Sequence, residues 1–182
     1  MRSAVLIAAA TISLVACGRK EAESNTSVSH GPVASTQAPT NDLVPMAALA
    51  SKEESLRVMH ERHEGMEQIG KSNKAIRAAL EASPPDISAV QKAAATIADL
   101  ATKTPGWFPA GTGPELGKTG AKPEIWQNQA DFSAKDKDFR EAAQAFNTAA
   151  ASGNVDTIKA SFAELGKTCK ACHDKYRSEM HH

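Results

Sequence analysis

The chain has 182 residues, enough for one domain with extensions, and its 21 Lys and Arg balance 21 Asp and Glu. Zero formal net charge leaves no electrostatic footprint for nucleic acid. Abundant alanine, few aromatic residues and no strand-like alternation favour an all-α domain.

Met1 and Arg2 are followed by an apolar run from Ala4 to Ala16. At about 13 residues it is shorter than the roughly 20 a spanning helix needs, and it suits a signal h-region. Residues 1–16 are therefore expected to be a signal peptide. An ordinary cleavage site wants small residues at −3 and −1, and Leu14 breaks that rule. Leu14-Val15-Ala16-Cys17 resembles the bacterial lipobox, in which the Cys becomes the first mature residue and carries lipid. The alternative is an ordinary signal with an incidental Cys17. Several acyl chains would anchor the protein stably, where one is marginal. Gly18, rather than Asp, after Cys17 leans towards the outer membrane by resemblance to enterobacterial sorting.

Residues 17–45 turn to Ser, Thr, Pro, Ala, Asn and Gln with no apolar period. They read as a solvated tether spanning about 30 Å end to end. Asn25-Thr26-Ser27 matches a glycosylation sequon, an accident in a bacterial lipoprotein. His30 reads as solvated.

The folded domain is expected over 46–182. A first helix is predicted from Ser51 to Glu81, with Ser51 and Glu54 resembling a capping box. Met59, His63, Met66 and Gly70 step by four, three and four along one face, which Ile76 and Leu80 extend as the buried side. Gly65 and Gly70 each weaken a helix by roughly 1 kcal/mol, so a close approach is expected at them. Ser83-Pro84-Pro85 ends the element. Asp86 can cap a second helix reaching about Lys103, with Ile87, Val90, Ala94, Ile97 and Ala101 inward.

Thr104 to Lys122 is a loop with five Gly and three Pro. Its Trp107-Phe108-Pro109 either folds over a cofactor edge or plugs the end of the core. Pro123 suits the first turn of a third helix. Ile125, Phe132, Phe139 and Phe146 recur every seven residues, one seam of a bundle, and read as core. Ser152-Gly153-Asn154 breaks the chain. A fourth helix carries Val155, Ile158, Phe162, Leu165, Cys169, Cys172 and Tyr176 in steps of three and four. Short connections make the first two and the last two helices antiparallel neighbours.

Cys169-Lys170-Ala171-Cys172-His173 is the pattern of covalent c-type haem attachment. Positions i, i+3 and i+4 share one helix face, so two thiols and an imidazole can meet one flat macrocycle. The cysteines lie on the stripe facing the core, as a haem wall requires. A zinc half-site would need a second ligand pair at suitable spacing. A thioredoxin-like dithiol would need a strand-helix turn. The remaining reading is a chance CxxC.

A C-terminal CxxCH preceded by four helices resembles the class II c-type cytochromes, cytochrome c′ and the cytochrome c556 group. The likeness runs from about Ser51 to Arg177. It also rests on Arg62-His63-Glu64-Gly65-Met66, Lys74-Ala75-Ile76, Lys122-Pro123-Glu124-Ile125-Trp126 and His173-Asp174-Lys175-Tyr176-Arg177. The resemblance implies an antiparallel four-helix bundle with one haem c per chain. Carried across, His173 binds iron proximally and Met66 sits over the distal face. Arg62 lies near a propionate, and Arg177 lies near the proximal face. Family members often have Gln where this chain has His63.

Met66 ligation would leave no open position, which suits electron transfer. An unligated Met66 would leave iron free to bind NO or CO; His63, His60 and Met59 are further distal candidates. His60 and His63 otherwise read as surface or propionate-side groups, and His181 and His182 as a tail. The expected function is one-electron transfer in the periplasm with no enzymatic chemistry. The chain would be lipid-anchored to a membrane through Cys17 and serve redox partners of the envelope. The resemblance also raises a homodimer through the first two helices.

Overall fold

The computed structural model describes Leu49 and residues 51–179, all within the unit Thr40–His182. The signal segment, Cys17, the tether, His181 and His182 lie outside the described residues.

Helix α1 runs Lys52–Glu81. Ser51 caps it, its hydroxyl accepting from Glu54 N at 3.1 Å. The Glu54 carboxylate goes to Arg57, so the reciprocal half of the capping box gives way to an i,i+3 ion pair. Helix α2 runs Ile87–Ala101, with Asp86 accepting from Ala89 N at 2.9 Å. It stops short of Lys103, and Thr104–Gly106 forms a 3₁₀ turn.

The third predicted helix is two pieces. Helix α3, Glu124–Gln127, is a single turn, and Asn128 leaves helical geometry at φ −122°, ψ 51°. Helix α4 then runs Gln129–Ala151. The sevenfold seam survives the break: Ile125, Phe132, Phe139 and Phe146 are all buried. Gly153, at φ +70°, makes the turn, a left-handed conformation that suits glycine. Asn154 caps α5, Val155–Tyr176.

Helices α1, α2, α4 and α5 form the four-helix bundle. Ile76, Val90, Ile97, Phe146, Ile158 and Leu165 are its fully buried centre. Each such side chain contributes about 1.5–3 kcal/mol through burial. Close packing joins α1 to α2, α2 to α4 and α4 to α5. The fourth edge, α1 against α5, lacks such packing and leaves a seam open along the bundle.

The face of α1 expected to be buried holds at Met59 and Ile76 and is corrected at His63 and Gly70. Val58, Met59, Arg62, Gly65, Ile69, Ser72, Ile76 and Ala79 are buried, whereas His63 and Gly70 are exposed and Met66 and Leu80 are half-buried. The step from His63 through Met66 and Gly70 sits beside the buried stripe and continues to Asn73 and Arg77. Those last two residues line the seam.

Trp107 and Phe108 plug the core. A Cβ on Gly65 would run into the Trp107 ring, so indole packing explains that glycine; at Gly70 there is nothing to meet. The half-buried Trp126 donates from Nε1 to the carbonyls of Phe108 and Pro109 at 3.1 and 3.0 Å, fixing the plug to α3.

Candidate functional site

The open seam is where the chemistry-bearing residues gather. The Arg77 guanidinium lies 5.9 Å from the Phe162 ring centroid, joining α1 to α5. The two helices run antiparallel, so residues can be counted outward from this contact along both. Eleven residues make three turns with a drift of only about 20°. Counting back from Arg77 reaches Met66, and counting forward from Phe162 reaches His173. By this count Met66 and His173 come at about the same height on α1 and α5, Met66 half-buried against the core and His173 exposed. By the same count Asn73 pairs with Gly166 and Gly70 with Cys169.

A cavity of about 430 Å³ opens between these walls, lined by Asn73 and Arg77 of α1 and by Phe162, Gly166 and Lys170 of α5, among others. A Cβ added at Gly70 or Gly166 would meet no atom within 4 Å. Gly166 thus keeps the α5 wall of the cavity low.

Cys169 and Cys172 are half-buried and packed against the core, as is Met66. Burial pushes the Cys172 thiol up to about 11, with Asp136 adding to it, and raises Cys169 in the same direction. Both are neutral thiols at pH 7. A redox dithiol needs a lowered pKa at its attacking sulfur, so the electrostatics oppose that reading. Among the described residues no cluster of three or more His, Cys, Asp or Glu is placed to hold a metal ion by itself. His173 is exposed overall. Partial desolvation of its ring, and then the Arg177 cation, lower its pKa and favour the neutral imidazole that ligation needs.

Arg62 is 4 % exposed. It donates to Trp107 O at 3.0 Å, Thr112 Oγ1 at 3.1 Å, Thr112 O at 2.9 Å and Thr119 Oγ1 at 3.0 Å. Its guanidinium also lies 5.1 Å from the Phe108 centroid. Burial lowers its pKa to about 10, against the opposing pull of Glu115. Arg177 is exposed and forms an isolated antiparallel bridge with Ala121. His60 and His63 face solvent beside Glu64 and Glu67, at 3.2 and 3.4 Å, while Met59 is buried.

The sequence reading did not find Asn73, Arg77 and Gly166 on the seam, nor Thr112 and Thr119 around Arg62. The step from Met66 through Gly70 carried the first two; the threonines gave no local signal.

A c-type haem fits these residues. Two neutral thiols and an imidazole project from one helix, an apolar core backs them, and the adjoining seam has room for a flat ring.

Comparison with known proteins agrees. The Cytochrome C′ family model matches residues 57–177. Cytochrome c′ of Allochromatium vinosum is 34% identical over 137 residues, 74% of this chain and 86% of that protein. The crystal structure of cytochrome c′ from Thermochromatium tepidum superposes with a TM-score of 0.64 at 35% identity, covering 73% of this chain and all of that one. The nitric oxide complex of a mutant cytochrome c prime from Alcaligenes xylosoxidans superposes with a TM-score of 0.61 at 25% identity, covering 72% and 99%.

Proposed function

This chain belongs to the cytochrome c′ family, whose members carry one covalent haem c, and on that premise we propose that it is a one-electron carrier with iron held between His173 and Met66. Bound haem c supplies a ferric/ferrous couple that accepts and returns one electron. Cys169 and Cys172 would hold the macrocycle through thioether links. His173 of α5 would bind the iron, and the Met66 thioether of α1 would supply a second ligand. The chain itself performs no substrate chemistry.

What supports this reading is the Cys169-Cys172-His173 pattern on α5 of a cytochrome c′ family chain, together with a half-buried methionine, Met66, on α1. The ferric holoprotein should show the near-infrared band of a methionine sulfur on iron, and Met66→Ala should abolish it. A wild type without the band would remove Met66 from the ligand set.

A second reading is favoured by the nitric oxide complex of the Alcaligenes xylosoxidans protein. Here Met66 only packs, and the ferrous protein takes up NO or CO at an open iron. A high-spin resting spectrum and rapid ligand uptake would identify it.

We place the mature protein on the envelope side of a bacterial membrane, attached by lipid at Cys17. Replacing Cys17 by Ser should release it to the soluble fraction, and retention would count against the anchor. Redox partners would then be envelope proteins. Self-association through α1 and α2 is checked by sedimentation.

A further inference from the structure

Helices α1 and α5 do not pack closely on each other, yet Met66 and His173 must be held at a set separation. The loop from Thr112 to Lys122 spans that gap at their end of the bundle. On the α1 side, Arg62 lies one turn from Met66 and donates to both carbonyl and hydroxyl of Thr112 and to Thr119 Oγ1. Thr119 Oγ1 also accepts from Ala121 N at 3.2 Å, so one hydroxyl joins the guanidinium to the next stretch of loop. On the α5 side, Lys122 N donates to Tyr176 O at 3.0 Å and Ser178 N to Gly120 O at 2.9 Å. Arg177 N in turn donates to His173 O at 3.1 Å. A hydrogen-bonded path thus runs from α1 to α5 through the loop.

We infer that this loop is a strap that sets the α1–α5 spacing at the level of Met66 and His173, with Thr119 as its positioning residue. The guanidinium of Arg62 is the strap's anchor. The strap is intramolecular and independent of haem, but its consequence at iron rests on the proposed axial pair. A taut strap keeps the Met66 sulfur within reach of the iron. A slack one frees that side for exogenous ligands.

The test uses full-length holoprotein carrying Cys17→Ser, with spin labels on cysteines introduced at exposed Glu64 and Asp174. Thr119→Val keeps the side-chain shape and removes the hydroxyl; Thr119→Ser keeps the hydroxyl. The label-to-label distance should shift outward and broaden in Thr119→Val and match wild type in Thr119→Ser. In the same samples the Met66–iron band should weaken in Thr119→Val and recover in Thr119→Ser. A Thr119→Val distance distribution that superposes on wild type would overturn the strap. A widened distribution with an unaltered band would overturn its control of iron. Were wild type to lack the band altogether, the axial assignment would fall while the distances still decided the strap.

Discussion

The Arg77 guanidinium rests 5.9 Å from the Phe162 ring centroid, and this contact ties the two helices that the bundle otherwise leaves apart. Phe162 also lies 5.4 Å from Phe146, which is fully buried. One ring therefore faces the core on one side and the seam on the other, and its position fixes which residues of α1 and α5 oppose each other.

Phe162→Ala should destabilise the holoprotein by about 2–3 kcal/mol, below the cost of a fully buried Phe because the ring is half-exposed. Arg77→Ala, which removes a cation over the ring at an exposed site, should cost about 0.5–1 kcal/mol. Urea unfolding of the two variants measures both. Equal costs would mean the ring's contribution to the core is small.

Gly65→Ala tests the plug. Helix propensity alone favours Ala by about 1 kcal/mol, but its Cβ would meet the Trp107 ring. Overpacking of this kind costs about 1–3 kcal/mol, so the variant should lose stability on balance. In a Trp107→Leu background the penalty should shrink or reverse, as a double-mutant cycle would show. A Gly65→Ala protein as stable as wild type would place the indole elsewhere.

Acid sensitivity should arise at Asp131. Its carboxylate accepts from Tyr176 Oη at 2.6 Å and Lys175 Nζ at 2.9 Å, and those bonds, Tyr176 first, hold its pKa below the ordinary 3.8. A carboxylate depressed in the folded state adds stability above its unfolded pKa and loses it as pH falls through the folded value. Stability should therefore drop as pH goes below about 4, and Tyr176→Phe should flatten that limb while lowering the melting temperature at pH 7. Melting curves from pH 2 to 7 measure this. An unchanged acid limb in Tyr176→Phe would assign the sensitivity to other groups.

Much of this architecture was legible because it is local or periodic. Ser51, Asp86 and Asn154 begin their helices as short polar caps do, and the sevenfold recurrence from Ile125 to Phe146 marks a buried seam even across a helix break. The Cys169-Cys172-His173 spacing names its chemistry by residue type alone. What stayed hidden depends on tertiary contact. Met66 and Ile69 differ by less than one turn, and only tertiary packing decides that Ile69 is buried and Met66 half-buried. Arg62 reads only as a propionate-side residue; that Trp107, Thr112 and Thr119, from 45 to 57 residues away, close around it has no signal in the sequence.

The central claim is covalent: one haem joined to α5 through Cys169 and Cys172. Intact mass of the denatured full-length protein, made with haem-attachment machinery present, tests it directly. The account predicts polypeptide and lipid plus one haem that survives acid-acetone extraction, and loss of that added mass when both cysteines are replaced by Ala. A wild-type mass equal to polypeptide and lipid alone would contradict it.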